Sequence, residues 1–364
     1  MTAEHLKPLT ALRFFAAMWV VLFAWWPVSG FGPAPEFIAR GYLGVDLFFV
    51  LSGFILCHVY LDQAGQRRFR YGGFLWNRLA RVYPLHLFTL AGVGLMAGAA
   101  AVAGMSIDGN VLSWETLPAN ILMVHAWGVT DVAGWNHPSW SISAEWFAYL
   151  TFPIFAAAAW GLRARPLLAL GLAVAALFGA YAGYQALTGQ TLTLATFAGG
   201  AVRIVPAFAL GCAAFLVFRA GHLANPKVAL AAFLGGLVAV ISSAALGLPD
   251  GVTVTLFTPM ILGLAGLAAV ERNPLSAGPL VYLGEVSYSV YMLCIPWQLF
   301  SVNAAQKLLG LPGETVPAWI WLPLVAMLPL LAAGTYHLVE KPARAAMKAY
   351  AARRPRERGA PQIA

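Results

Sequence analysis

Charge is what this sequence has least of. Only 10% of its 364 residues are Asp, Glu, Lys or Arg, against about 25% in a soluble domain. With 60% hydrophobic residues and a mean hydropathy of +0.75, that deficit excludes an ordinary water-soluble globular chain. Short segments of alternating hydrophobicity are missing too, which excludes a transmembrane β-barrel. Cysteine is scarce. Cys57, Cys212 and Cys294 each lie inside an apolar run, so neither a disulfide framework nor a cysteine metal site is visible. There is no phosphate-cradling Gly-Lys loop, no dinucleotide glycine fingerprint and no HExxH pair. Nothing therefore points to nucleotide hydrolysis or zinc proteolysis, and no metal is expected. The first apolar run lacks a small-residue cleavage site and reads as a retained helix. No repeat of fixed period and no second domain are visible.

What is there is a series of apolar runs near 20 residues, the length that crosses a core about 30 Å thick. Ten are read, at roughly 10–31, 42–61, 82–104, 139–161, 166–186, 199–218, 227–247, 253–270, 279–303 and 318–339. The expected fold is an all-α polytopic membrane protein of about ten transmembrane helices, both termini cytoplasmic. With the N-terminus inside, eighteen Lys and Arg fall on the cytoplasmic side. Only Arg40 and Lys307 fall outside, and Arg13 and Arg203 lie within spans. This is the positive-inside pattern. It accounts for the net charge of +8 as a topology signal with some attraction to anionic lipid, not as a nucleic-acid footprint. Residues 1–342 are expected to form the membrane domain. Residues 343–364 are expected to form a basic cytoplasmic tail, disordered at its end. The longest external segment, about 105–138, is expected to hold a short re-entrant or interfacial piece over Glu115–Trp127.

Polar groups inside spans are costly and are kept mostly for function. Arg13 opens the first span, and Ala24 lies eleven residues on. Eleven steps of about 100° return to nearly the same helix face, roughly 16 Å along the axis. Asp46, Glu145 and position 24 are expected at similar depth in the outer part of the membrane, with Arg203 entering from the same side. This grouping suggests a polar cavity open to the outside. A structural Asp46–Arg203 ion pair is the competing reading. On the inner side Arg78 and Arg81 share a helix face, and with Arg13 they make a basic cluster suited to phosphate. The competing reading there is a positive-inside anchor. The scattered histidines read as structural or interfacial, except His137, which leads into the Glu145 segment.

Several stretches together resemble one family, the integral membrane acyltransferase family 3, whose members O-acylate bacterial surface polysaccharides. LTALRFFAAMWVVLF (9–23) resembles its first helix, in which an Arg is followed after ten residues by a His. GVDLFFVLSGFIL (44–56) is similar to its second-helix motif, and FLWNRLARVYPLH (74–86) to its RxxR motif. SWSISAEWFAYLTFP (139–153), LGEVSYSVYMLC (283–294) and VEKPAR (339–344) resemble its later motifs.

The resemblance implies a transferase of the bacterial inner membrane, with acetyl-CoA as acyl donor from the cytoplasm. It implies a glycan or lipid-linked oligosaccharide as acceptor outside. Arg13, Arg78 and Arg81 match donor-binding positions. Asp46 and Glu145 are the acids expected to assist a catalytic His. His137, Trp140 and Arg203 are acceptor-side candidates.

Two positions depart from the pattern. Ala24 stands where the family has its catalytic His, and alanine cannot accept a proton. With the surrounding motifs intact, it is read as an engineered His-to-Ala replacement in preference to an inactive paralogue, and poor turnover is expected. Cys294 stands where the family often has His. Its apolar setting disfavours a thiolate nucleophile. A small-molecule acceptor, or a glycolipid transporter without chemistry, is the alternative function. The paired broken helices that mark many transporters are not apparent.

Overall fold

The computed structural model describes residues 6–102, 111–130, 132–270 and 273–353. The described residues form helices joined by short loops, with no strand among them. In chain order the helices are α1 Lys7–Trp25, α2 Glu36–Ala39, α3 Leu43–Gly65, α4 Tyr71–Val102, α5 Leu117–Ile121, α6 Ser139–Leu162 and α7 Pro166–Thr188. They continue with α8 Gly200–Arg219, α9 Pro226–Ala245, α10 Asp250–Gly266, α11 Gly278–Leu309, α12 Ala318–Thr335 and α13 Lys341–Arg353.

Nine helical runs among the described residues are long and apolar enough to cross a membrane. The ninth apolar run of the sequence forms α11, which has 32 residues but is less apolar. It carries Ser287, Tyr288, Ser289 and Tyr291, all buried against the rest of the bundle. Polar groups in a membrane helix are tolerated where they face protein, so this helix is polar because of where it sits. The protein is thus an all-α polytopic membrane protein.

The bundle is organised by close helix crossings. The most extensive pairings are α9 with α10, α3 with α8, and α1 with α11. Gly53 and Gly211 let α3 and α8 touch backbone to backbone. A methyl group at either would overlap a carbonyl of the other helix, that of Phe208 or Val50. Small residues at such crossings are how membrane helices gain dispersion contacts without a hydrophobic drive. One core cluster joins α3, α6, α8 and α10. A second joins α1, α11 and α12 around Trp25 and Trp321.

Three segments differ from the sequence expectation. Helix α4 begins eleven residues before the expected span, so Arg78 and Arg81 sit inside a continuous helix. The interfacial piece 115–127 is a 3-10 turn and α5, drawn into the bundle by bonds from the Ala126 amide to Ser143 Oγ (3.0 Å) and from the Trp127 indole to the Ser143 carbonyl (2.9 Å). The expected tail begins inside α13, which follows α12 through a π-turn at Tyr336–Glu340. The end of the tail, 354–364, lies outside the described residues.

Candidate functional site

Two cavities meet inside the bundle. The first, of about 210 Å³, lies toward the end that carries Arg78 and Arg81. Its polar wall is Arg13 from α1, Ser52 from α3, Arg78 and Arg81 from α4, and Glu145 and Tyr149 from α6. The one-turn spacing of Arg78 and Arg81 turns both toward it. Arg78 is packed among aromatic rings, 5.9 Å from the centroids of Tyr60 and Tyr149 and 6.0 Å from that of Phe74. Its Nε is buried without a hydrogen-bond partner among the described residues. Arg13 lies 5.9 Å from the Phe48 ring. No salt bridge among the described residues involves any of the three arginines. Glu145, the carboxylate of that wall, is not within salt-bridge distance of any of them, so three cations face one acid and the cavity suits an anion.

Glu145 belongs to this cavity. Oε1 accepts a bond from Ser52 Oγ at 2.9 Å and a short one from the Tyr149 hydroxyl, one helical turn on. The sequence reading placed Glu145 with position 24 at the outer side. The structure instead turns it toward the arginines. The physical reason is helix phase. About two turns into α6, the face bearing Glu145 meets α3, whose Ser52 supplies a donor.

The second cavity, of about 550 Å³, lies at the other end of α1. Ala24, His137, Trp140 and Arg203 all line it, with Tyr42 and Cys294. The backbone there is pinned from α11 and α12. Gln298 Nε2 donates to the Ala24 carbonyl at 2.8 Å, and the Trp321 indole donates to the Trp25 carbonyl at 2.9 Å. The Trp25 indole in turn donates to the Cys294 carbonyl at 3.1 Å. His137 precedes α6, and burial holds its imidazole below the usual 6.5. It is therefore neutral near pH 7.

Asp46 does not line this cavity. It is fully buried, and both its oxygens are taken by Arg203, from Nε at 3.2 Å and Nη2 at 2.6 Å. Arg203 also donates to the carbonyls of Tyr42 (3.1 Å) and Ala195 (3.3 Å) and lies 4.9 Å from the Trp140 ring centroid. The structural Asp46–Arg203 ion pair, the competing reading of these two charges, is present. A second acidic hub, Asp250, draws in Arg40 (2.5 Å), the Tyr42 hydroxyl (3.1 Å) and Thr193. Tyr42 and Thr193 are walls of the same cavity.

Val45 and Tyr291 line both cavities. Arg13 is in one and Ala24 in the other, so the helix stripe from 13 to 24 runs past the partition that these two residues form. Tyr291 is fixed by donating from its hydroxyl to the Pro138 carbonyl at 3.1 Å. Sequence reasoning missed Val45, Tyr291, Tyr149 and Ser52. Tyr149 carried a signal, being four residues from Glu145 on one helix face. The others carried none that periodicity reveals.

Fold and site together define a class: a polytopic membrane protein with two ligand-sized chambers that abut within the bundle. A family profile described as an acyltransferase domain matches residues 7–337. The chain belongs to that family, acyltransferase family 3. Among curated relatives, the acyltransferase MdmB of Streptomyces mycarofaciens is 35% identical over 164 residues, which cover 42% of this chain and 39% of MdmB. Protein 2 of the picA locus of Rhizobium radiobacter is 49% identical over 53 residues, covering 15% of this chain and 28% of that protein. An uncharacterised Haemophilus influenzae protein is 28% identical over 119 residues, covering 30% and 47%. The matched stretches span less than half the length of each relative. No solved structure matches the chain.

Proposed function

We propose that this protein is a membrane O-acyltransferase of the bacterial inner membrane. It moves an acetyl group from cytoplasmic acyl-CoA to a sugar hydroxyl of an exported polysaccharide or its lipid-linked precursor. The observation that carries the reading is the pair of abutting cavities. One is lined by Arg13, Arg78 and Arg81, none of them in a salt bridge among the described residues, and the other is lined by position 24. The positive-inside pattern turns the arginine cavity toward the cytoplasm. The three guanidiniums bind the donor's phosphates, and the pantetheine arm runs along α1 toward the Val45–Tyr291 partition. The acceptor enters the second cavity, beside His137, Trp140 and Arg203.

In the reaction the acceptor oxygen attacks the thioester carbonyl carbon. A C–O bond forms, the C–S bond breaks, and the hydroxyl proton ends on the leaving thiolate. A base at position 24 takes that proton in transit and contributes on the order of 10²–10⁴-fold. With Ala24 the chain binds both substrates and turns over slowly. Full-length protein in nanodiscs, with acetyl-labelled CoA and a lipid-linked oligosaccharide, tests this. Ala24→His is expected to raise label transfer by at least about 10²-fold with little change in CoA affinity. An Ala24→His variant that binds CoA yet transfers no faster than the parent refutes the assignment of position 24. Absence of CoA binding in both refutes the function.

A further inference from the structure

Helix α13 does not trail away from the bundle. It lies along α4 and is held there in register. The Trp76 indole donates to the Met347 carbonyl at 2.9 Å, and its ring stands 6.1 Å from that of Tyr350. Trp76 is two residues before Arg78, and Met347 is next to Lys348. The contact therefore brings Arg344 and Lys348, one turn apart on one face, to the arginine end of α4. The charges acting on Lys348 are Arg344, Arg78 and Arg81, and Arg344 in turn feels Arg81, Glu340 and Arg78. Against these four cations stands Glu340, one of whose oxygens already accepts a bond from Ser289 Oγ at 2.9 Å. None of the four is in a salt bridge among the described residues. Docking two more cations against two unpaired arginines builds self-repulsion into the fold, and a bound polyanion relieves it.

We infer that Arg344 and Lys348 of α13 form a subsite for a phosphate monoester, the 3′-phosphate of the CoA nucleotide. The inference rests on the donor reading above. Arg344 and Lys348 do not line the arginine cavity. They lie beyond it on the same basic end. In CoA the diphosphate joins directly to the pantetheine arm, while the 3′-phosphate sits on the ribose at the far end. A donor with its thioester at the partition therefore gives its diphosphate to the arginines in the cavity wall. Its 3′-phosphate falls to the cations outside. Arg344 binds phosphate oxygens as a fork and Lys348 as a point charge. The headgroup phosphate of an anionic lipid has related chemistry, and the test separates the two sources.

The test measures binding of CoA and of 3′-dephospho-CoA by calorimetry, using the full chain in nanodiscs of neutral phosphatidylcholine. The parent is compared with Arg344→Gln, Lys348→Gln and the double variant, and melting is recorded for each. The parent is expected to prefer CoA by roughly tenfold or more. The double variant is expected to lose that preference while its affinity for dephospho-CoA stays within about twofold. Arg344→Lys is expected to keep part of it. Equal affinity of the parent for both nucleotides overturns the subsite, as does an equal loss of both in the double variant. The lipid source is the answer if the double variant keeps its CoA preference and loses only binding to phosphatidylglycerol vesicles. A parent that binds neither nucleotide refutes the donor reading itself.

Discussion

Removing the carboxylate of Asp46 is expected to cost stability before it costs chemistry. Arg203 and Asp46 are 1% and 0% exposed, so neither charge is compensated by water. Two of the guanidinium's bonds go to Asp46 and two to backbone carbonyls, and the cation lies against the Trp140 ring. In Asp46→Ala the carbonyls and the ring remain, but the only counter-charge within salt-bridge reach among the described residues is gone. Breaking a buried pair from one side costs about 3–5 kcal/mol, because it strands the other charge. Asp46→Asn keeps one acceptor and turns its amide N–H toward another donor, so it is expected to fall between parent and Asp46→Ala. Replacing both partners, as in Asp46→Leu with Arg203→Met, removes the stranded charge. It is expected to recover most of the loss, since such exchanges are often neutral or stabilising by about 1–4 kcal/mol.

The assay is denaturant unfolding in detergent for the single and double variants, read as a double-mutant cycle. Label transfer is measured in parallel in the Ala24→His background. A latch predicts a large coupling energy and stability losses that account for the loss of transfer. The reasoning is refuted if Asp46→Ala changes stability by less than about 1 kcal/mol while abolishing transfer. Asp46 would then act on the reaction, as the family resemblance implied.

Within the arginine cavity, Arg81→Ala is expected to weaken CoA binding by about 1.5–3 kcal/mol, the size of a lost charge-assisted bond. Titration calorimetry that shows no change removes Arg81 from the donor site. At the partition, Val45→Phe is expected to stop transfer in the Ala24→His background while leaving CoA affinity unchanged, and Val45→Ala to raise the butyryl-to-acetyl ratio by about 10-fold or more. Competition between the two donors measures this, and an unchanged ratio places the acyl path elsewhere. His125 donates from Nδ1 to the Ala119 carbonyl (3.4 Å) and accepts at Nε2 from Ser139 (3.0 Å), an arrangement suited to the neutral ring. Burial, then the stacked ring of His86, push it from 6.5 down to about 4. The unfolded chain thus takes up the proton first. Stability is full above pH 6.5 and is lost as pH falls toward 4, by up to about 3 kcal/mol, and a pH series of melting curves on parent and His125→Gln checks it.

How much of this was legible before the structure depends on which physical quantity a pattern encodes. Hydrophobic run length encodes how far a helix reaches, and the long apolar runs were read from it with most ends displaced by only a few residues. Helix phase encodes which residues share a face, and so Arg78 with Arg81, and Arg13 with Ala24, could be placed on common stripes. Phase does not encode what that face meets. Depth along the chain groups Glu145 with Asp46 and position 24 in the outer part of the membrane. Which neighbour Glu145 faces is set by how α3 and α6 pack together, and there it meets Ser52 of α3. Only the assembled bundle shows that contact. Basic residues past a span are ambiguous for a related reason. Charge count alone reads the segment after Lys341 as a solvated tail, whereas one indole on α4 and a carbonyl of α13 hold its first twelve residues as a docked helix. The same ambiguity covers Asp46, where sequence position allowed either a reacting group or a latch. Its geometry with Arg203 favours the latch, since a carboxylate whose two oxygens are both held by a buried guanidinium has little capacity left to orient an imidazole at position 24.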